Sequence, residues 1–209
     1  MNALIGPVPD NWREVPLGEV CDVIAGPSAN LMRPAGVGVP VKVVAPKNLE
    51  HGRITGSVTV QVTDEASSRL DRYRLAPGDL ICVRTGDLSK QVLVDPEQEG
   101  WVVGNACFKL RPRLDSHYLL HYLAHPAIRE WIGRHASTAT VPTLTLSTLR
   151  TLPVLFPPQE TQVRIGTILG ALDDKAAVHR EIVAVTEKLR DSLFPVLLGS
   201  PKGASSGPT

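Results

Sequence analysis

The sequence contains few aromatic residues, few cysteines and little net charge. Aromatic side chains make up 4% of the 209 residues, so a core must be built mainly from Val, Leu and Ile. The net charge of +1 counts against a chain that coats nucleic acid through bulk positive charge. The cysteines Cys21, Cys82 and Cys107 lie in apolar runs and lack the spacing of metal ligands, which predicts buried free thiols in a reducing cytoplasm.

Long apolar runs are also absent. No stretch approaches the roughly 20 apolar residues that a membrane-spanning helix needs, and the first residues carry no basic segment typical of an export signal. We therefore expect a cytoplasmic protein without a membrane segment. The content of 43% hydrophobic and 21% charged residues is typical of a globular protein with a buried core.

Sequence motifs of common catalytic centres do not occur: there is no glycine-rich phosphate loop, nucleophile elbow or metalloprotease motif. His117, His121 and His125 are spaced four residues apart and would share one helical face, where imidazoles can chelate a metal. Because Pro126 follows directly and no carboxylate or cysteine completes a set nearby, the polar face of an amphipathic helix is the favoured interpretation. The sequence thus predicts a binding protein rather than an enzyme, with no metal and no cofactor.

An α+β fold is predicted from the pattern of short apolar segments. Glycine, proline, asparagine and aspartate separate these segments, as expected for strands joined by turns. The predicted strands cover residues 20–24, 39–45, 57–62, 79–84, 91–94, 105–110 and 152–156. Two helices follow the sixth strand: Asp115 or Ser116 can cap the first, and Pro126 can begin the second.

The C-terminal fifth of the chain predicts one long helix over residues 160–194. At about 1.5 Å per residue its length would be about 50 Å. Seven of the ten heptad positions are apolar. We call these ten positions the helix seam: Ile165, Ile168, Leu172, Lys175, His179, Ile182, Thr186, Leu189, Leu193 and Val196.

A helix of this length is expected to pack against a partner helix, because a strand-rich domain offers no groove long enough to cover it. The polar seam residues Lys175, His179 and Thr186 would then specify register or direction. The Pro157-Pro158 pair marks the boundary. The predicted divisions are an N-terminal extension (1–10), a folded domain (11–157), the long helix (158–198) and a tail of disordered composition (199–209).

Candidate contacts to nucleic acid lie in two cationic segments and one polar loop. Their guanidinium, ammonium, hydroxyl and backbone groups suit phosphates and base edges, although any one of these cations can equally be ordinary solvated surface. The candidates are Arg69, Arg72 and Arg74; Arg84, Thr85, Ser89 and Lys90; and Thr138, Thr140 and Thr143. A further group of cations follows the sixth predicted strand: Lys109, Arg111 and Arg113.

Three motifs, taken in order, resemble a known family. They are Trp12-Arg-Glu-Val-Pro-Leu-Gly-Glu-Val, Leu75-Ala-Pro-Gly-Asp-Leu-Ile-Cys-Val-Arg-Thr-Gly, and Leu149-Arg-Thr-Leu-Pro-Val-Leu-Phe-Pro-Pro-Gln-Glu-Thr-Gln-Val-Arg-Ile. Over residues 11–198 the chain resembles the specificity (S) subunit of type I restriction-modification systems, with one target-recognition domain and one spacer helix. The last motif is the most specific of the three.

The resemblance implies a non-catalytic subunit that reads double-stranded DNA mainly through the major groove. It also implies docking of a DNA adenine methyltransferase (modification) subunit and, as a further partner, a restriction subunit. A full S subunit carries two recognition domains and two spacer helices, whereas this chain has one of each. We therefore expect a homodimer through antiparallel helices that reads a bipartite palindromic site. One alternative is a related DNA-modification defence system, in which the chain hands DNA to a different nuclease or methylase. The others are a protein-interaction adaptor that no longer reads DNA, and a metal enzyme that uses His117 and His121.

Overall fold

The protein is described from a computed structural model over residues 2–50, 52–137 and 140–199. Thr138 and the predicted tail from residue 200 onward lie outside the described residues. The strands are β1 (Asn2–Ala3), β2 (Gly6–Pro7), β3 (Arg13–Pro16), β4 (Cys21–Ala25), β5 (Val39–Val44), β6 (Leu49–Glu50), β7 (Arg53–Ile54), β8 (Val58–Val62), β9 (Leu80–Val83), β10 (Gln91–Leu93), β11 (Val102–Val103), β12 (Cys107–Pro112) and β13 (Pro153–Phe156). The helices are α1 (Leu17–Val20), α2 (Asp64–Arg69), α3 (Ser116–Ala124), α4 (Pro126–His135), α5 (Leu146–Arg150) and α6 (Gln159–Leu197).

The predicted α+β class is confirmed: a strand-rich domain with small helices precedes one long C-terminal helix. The chain divides into two compact units, an N-terminal unit of residues 1–169 and a C-terminal unit of residues 170–209. Within the described ranges, no helix is long and apolar enough to cross a membrane.

The central sheet of the N-terminal unit has the strand order β10-β9-β12-β4, and all its pairs are antiparallel. The middle strand β9 is buried on both faces. Leu80 packs into a first core with α3 and α4, whereas Ile81 and Val83 pack into a second core. This two-sided burial explains why β9 reads as a continuous apolar run instead of an alternating one.

A smaller sheet has the order β11-β5-β8, in which β5 pairs parallel to β11 and antiparallel to β8. One face of β8 is partly exposed, which matches the alternation of Val with Thr and Gln in this strand. Val62 is fully buried and joins Val41, Val43, Leu70 and Val102 in a third core.

The two ends of the N-terminal unit meet in a third pairing. β3 lies antiparallel to β13, with Arg13 opposite Phe156 and Pro16 opposite Pro153. β1 and β2 form a hairpin within the predicted N-terminal extension, and Ile5 next to it packs against the first core.

The helix starts expected from the sequence are confirmed. The Asp115 carboxylate accepts a hydrogen bond of 2.8 Å from the Tyr118 amide and caps α3. Pro126 is the first residue of α4, where its missing N–H leaves no internal bond unmade.

The start of α6 is held against the rest of the N-terminal unit by Gln162. Its side-chain oxygen accepts from the Asp115 amide at 3.0 Å, and its amide donates to the Pro157 carbonyl at 2.8 Å. One turn later, a Cβ added to Gly166 would lie 2.4 Å from Asp115 Oδ1. Only glycine therefore allows α6 and the N-terminus of α3 to approach this closely.

In the C-terminal unit, α6 continues through Pro195 to Leu197, three residues beyond the predicted end. Its apolar seam residues are exposed: Leu172, Ile182, Leu189, Leu193 and Val196 are each between 44% and 68% accessible. Among the seam residues of the N-terminal unit, Ile168 is also exposed, whereas Ile165 packs against the first core.

Candidate nucleic-acid interface

The hairpin between β9 and β10 carries four of the predicted contact residues, Arg84, Thr85, Ser89 and Lys90. Gly86 at its tip has a φ of +102°, which a residue with a Cβ rarely adopts. The Asp87 carboxylate accepts from the Ser89 hydroxyl at 2.6 Å and from the Ser89 amide at 3.1 Å. These bonds organise the tip as a compact turn.

The negative charge of Asp87 is offset locally, because its carboxylate accepts hydrogen bonds from Ser89 and lies near Lys90 and Arg129. The Ser89 hydroxyl bond lowers the pKa of Asp87, and the nearby cations Lys90 and Arg129 lower it further. The carboxylate is thus ionised at neutral pH while its oxygens accept local hydrogen bonds. Arg129, on the exposed side of α4, faces this turn from a different element.

A second predicted segment, the polar loop after α4, contacts the same hairpin. The Gly86 amide donates to the Pro142 carbonyl at 3.0 Å, and the Thr143 and Thr85 hydroxyls are 3.4 Å apart although 58 residues separate them in sequence. The Thr143 amide also donates to the Ser137 hydroxyl at 3.2 Å. We call residues 84–90 with 137 and 140–145 the paired-loop surface.

The outer part of the paired-loop surface mixes hydroxyl and apolar groups. Thr140 and Ser89 are exposed, and the side chain of Val141, next to Thr140 in sequence, is 49% exposed. Lys90 is half-exposed at the base of the turn. Hydroxyls, a methyl-bearing side chain and flanking cations are the groups that proteins use on base edges, thymine methyls and phosphates.

Arg84 enters this surface from the end of β9 with its backbone held on both sides. Its amide donates to the Ala106 carbonyl at 2.8 Å, and its carbonyl accepts from the Leu144 amide at 2.9 Å. The guanidinium lies 5.9 Å from the centre of the buried Phe108 ring. Nε is buried and has no hydrogen-bond partner in the described part of the chain.

The other predicted cationic segment is held by different contacts. Arg74 donates to Asp71 at 2.9 Å and to the Gly100 carbonyl at 3.0 Å, and Arg72 lies over the Tyr73 ring at 5.1 Å. Arg69 ends α2 and lies 3.9 Å from Glu65. Thus the structure brings the hairpin and the polar loop together, while Arg69, Arg72 and Arg74 each contact near neighbours outside the paired-loop surface.

The cations of β12 and the residue after it make internal contacts. Lys109 is buried and donates to the Arg72 and Arg74 carbonyls at 2.8 and 2.7 Å, and this burial lowers the pKa of Lys109. Arg111 forms a two-bond ion pair with the buried Asp79 carboxylate, at 2.7 and 2.8 Å.

Arg113 lies 3.1 Å from Asp22 and also donates to the Glu19 carbonyl at 3.1 Å. Because Lys109, Arg111 and Arg113 all bind within the fold, they hold β12 in place rather than present free donors.

The histidine face of α3 lacks the geometry of a metal site. Among the described residues, no group of three or more His, Cys, Asp or Glu side chains is placed to hold a metal ion. His125 instead caps α4, since its Nδ1 accepts from the Ala127 amide at 3.2 Å.

The cysteines are free thiols inside the N-terminal unit. Burial raises the pKa of Cys21 and Cys107 to about 12, and burial also raises the pKa of Cys82. Thiols protonated in this way are poor nucleophiles and poor metal ligands at neutral pH.

Sequence reasoning missed Arg129 and Val141. Nothing in the local sequence of α4 distinguishes Arg129 from Arg134, which lies 2.9 Å from Glu130. The only available signal for Val141 was its position inside a loop otherwise made of Ala, Ser, Thr and Pro, which is a weak one.

Comparison with known proteins identifies related sequences. The family model described as the type I restriction modification DNA specificity domain matches residues 9–188. The protein named "Putative type I restriction enzyme MjaX specificity subunit" from Methanocaldococcus jannaschii is 22% identical over 202 residues, which cover 92% of this chain and 47% of that protein.

Solved structures show the same fold. The HsdS subunit from Thermoanaerobacter tengcongensis matches with a TM-score of 0.63 and 19% identity, over 97% of this chain and 52% of that subunit. A chain from a structure of a type I restriction-modification complex matches with a TM-score of 0.66 and 24% identity, over 93% and 46%. The S subunit of the M. genitalium system matches with 0.58 and 16%, over 90% and 46%. The chain therefore spans about half the length of the relatives it matches.

Proposed function

We propose that this chain, which belongs to the type I restriction-modification DNA specificity domain family, is a sequence-specific DNA-recognition subunit. It directs a partner enzyme to a target: a DNA adenine methyltransferase subunit and, in some assemblies, a restriction subunit. The observation that carries the proposal is the paired-loop surface, where Thr85 and Thr143, 58 residues apart in sequence, meet beside Arg84, whose Nε has no hydrogen-bond partner in the described part of the chain. Recognition without catalysis agrees with the DNA specificity role in the family description.

The shape of the paired-loop surface suits a DNA groove. Because β9 also pairs with β12, the contact to the major groove, which is about 12 Å wide, falls to the turn of residues 84–90 and the polar loop against it. Lys90 and Arg129 flank the turn and supply charge for phosphates, whereas Thr85 and Thr143 present hydroxyls to base edges. This division favours the hairpin over the Arg69–Arg74 segment, where Arg69 and Arg74 already lie near carboxylates.

The long helix α6 is the surface through which we expect two copies of the chain to assemble. We expect two copies to associate through antiparallel helices, so that two paired-loop surfaces read a bipartite palindromic site. The exposed apolar residues Leu172, Ile182 and Leu189 support this arrangement, because they leave a heptad stripe uncovered. Thr186 does not oppose it: its hydroxyl donates to the Ile182 carbonyl at 2.7 Å, so a covering helix leaves no hydroxyl unpaired.

DNA recognition is tested by enrichment of a duplex pool with a randomised central segment, followed by fluorescence titration of the selected duplex at several salt concentrations. We expect the full chain to enrich one motif and its affinity to fall with salt. Lys90→Ala and Arg129→Ala should each reduce the slope of log affinity against log salt by about one unit. Arg69→Ala serves as the comparison variant and should leave the slope unchanged.

Several outcomes of the DNA experiment contradict the proposal or part of it. No enriched motif from the wild-type chain, together with an intact dimer, would favour the protein-interaction adaptor. Unchanged slopes for both Lys90→Ala and Arg129→Ala would remove the paired-loop surface from the interface. A reduced slope for Arg69→Ala would assign phosphate contacts to the other predicted segment.

Helix-mediated assembly is tested by sedimentation equilibrium. We expect the wild-type chain to be a dimer and the double variant Ile182→Asp/Leu189→Asp to be a monomer, because buried unpaired carboxylates disfavour an apolar seam. Lys188→Asp, on an exposed position beside the seam, is the matched control and should stay dimeric. A strictly monomeric wild-type chain at micromolar concentration, with and without the selected DNA, would refute the dimer.

A further inference from the structure

We infer that Arg84 reads a guanine: the outer nitrogens of its guanidinium donate to O6 and N7 on the major-groove edge of one G·C pair. The inference rests on the proposed DNA-recognition function and adds the base that one named residue specifies. Three features mark Arg84: its backbone anchorage, the absence of a carboxylate within ion-pair distance among the described residues, and the environment of Nε.

The backbone of Arg84 is tied to two separate elements. Its amide bonds to Ala106, just before β12, and its carbonyl bonds to Leu144 of the polar loop, at 2.8 and 2.9 Å. The residue after it, Thr85, is bridged to Thr143. The Cα position of Arg84 is therefore defined by both halves of the paired-loop surface, which is the condition for reading a base edge with a fixed register.

Pairing separates Arg84 from most of the arginines that carry structural roles. Several arginines lie within ion-pair distance of a carboxylate, at 2.7 to 3.9 Å. These pairs are Arg69–Glu65, Arg74–Asp71, Arg111–Asp79, Arg113–Asp22, Arg134–Glu130 and Arg190–Asp191. The Arg84 guanidinium instead lies 5.9 Å from the centre of the Phe108 ring, a cation–π contact that stabilises the charge without using the N–H groups.

The environment of Nε orients the remaining donors. Nε is buried without a hydrogen-bond partner in the described part of the chain, while Arg84 as a whole is half-exposed. The remaining donors of the side chain are thus the two Nη atoms. Since Nε is already removed from water before DNA arrives, little further desolvation of the stem accompanies binding.

A guanine edge fits this arrangement better than a phosphate. O6 and N7 are two coplanar acceptors that match the planar pair of Nη donors, and arginine to guanine is the most common specific contact in the major groove. Lys90 and Arg129 lie on the flank of the turn, where they supply positive charge for phosphates. The hydroxyls of Thr85 and Thr143 lie next to Arg84 and suit the neighbouring base pair.

The test repeats the enrichment from the randomised duplex pool with full-length variants. Arg84→Lys keeps the charge but removes the planar donor pair, and Arg84→Ala removes both. Arg129→Ala is the matched control, because it removes a cation of the same surface without a role in base reading. Tryptophan fluorescence of each variant verifies that the N-terminal unit is folded.

We expect both Arg84 variants to lose the preference for guanine at one position of each half-site and to keep the preferences elsewhere. On the wild-type target, binding should weaken roughly 5- to 150-fold, the range of one good two-bond base contact. On a duplex with that G·C pair replaced, wild type and Arg84→Lys should bind equally. Arg129→Ala should bind more weakly with an unchanged motif.

Two results would overturn the inference and leave the proposed function intact. One is an unchanged motif for Arg84→Ala, with affinity lowered equally for all duplexes, as a phosphate contact predicts. The other is an altered preference at a pair that contains no guanine. Failure of the wild-type chain to enrich any motif would instead remove the proposed function, and the inference with it.

Discussion

The bond pair made by Gln162 predicts a large loss of stability when its side chain becomes apolar. Gln162 is 2% exposed and connects the Asp115 amide with the Pro157 carbonyl. Gln162→Leu leaves both backbone groups unpaired, at about 1–3 kcal/mol for each buried group. Because the Asp115 amide is only partly buried, we expect the free energy of unfolding to fall by about 2–4 kcal/mol, a substantial share of the roughly 5–15 kcal/mol typical of a domain.

The assay is urea unfolding followed by tryptophan fluorescence. Trp12, Trp101 and Trp131 all lie in the N-terminal unit, so the transition reports that unit alone. Gln159→Leu makes the same chemical change at an exposed position of α6 and should alter the free energy of unfolding by no more than about 0.5 kcal/mol. Equal transition midpoints for the two variants, with equal slopes, would refute the role given to Gln162.

Three further predictions concern the N-terminal unit. Gly166→Ala should destabilise the N-terminal unit by about 1–3 kcal/mol despite the better helix propensity of alanine, since its Cβ displaces the Asp115 cap; Gly133→Ala, with no neighbouring atom within 4 Å, should instead stabilise it by about 0.5–1 kcal/mol in the same assay. Because burial raises the pKa of Cys21 and Cys107 to about 12, the native thiols should react slowly with a disulfide reagent at mildly alkaline pH and rapidly in urea. Because the folded state favours the neutral thiols, their contribution to the free energy of unfolding is complete below the unfolded thiol pKa of about 8.5 and is lost as pH rises toward 12. A free energy of unfolding that does not change with pH between these values would contradict this.

Local sequence signals predicted much of the fold. Val58–Val62 follows from its alternation, α3 from the capping residue Asp115, and α4 from Pro126 at its first position. Each of these signals depends on residues that are close in sequence, so it can be read without knowledge of tertiary contacts. The helix end was less accurate: α6 continues through Pro195, because a proline near the last turn removes only one internal hydrogen bond.

Features that depend on distant segments were not predictable in the same way. The burial of Gln162 has no signal in the local sequence, because it follows from the approach of α3 to α6. Lys109 looked like a surface cation because the sequence does not reveal that carbonyls of the 72–74 segment surround its ammonium group. The meeting of Thr85 with Thr143 likewise required the folded chain.

Part of the candidate site remains a prediction. The domain boundaries, the DNA contacts of the paired-loop surface and the helix seam rest on pattern and placement, and the experiments above decide them. Thr138, one of the predicted contacts, lies outside the described residues. For the seam, the placement of Ile165 against the first core indicates that the free part of the stripe begins at Ile168.

The pairing of β3 with β13 makes the N-terminal unit modular. β3, which follows the β1–β2 hairpin, and β13, which precedes the long helix, are hydrogen-bonded neighbours, joined further by the Arg13 guanidinium over the Phe156 ring at 5.5 Å. A module closed in this manner can be duplicated, exchanged or inserted by recombination next to these two strands, without rearrangement of the strands inside. Under the proposed function, target preference would change by replacement of this one module, with the sequence of the long helix unchanged.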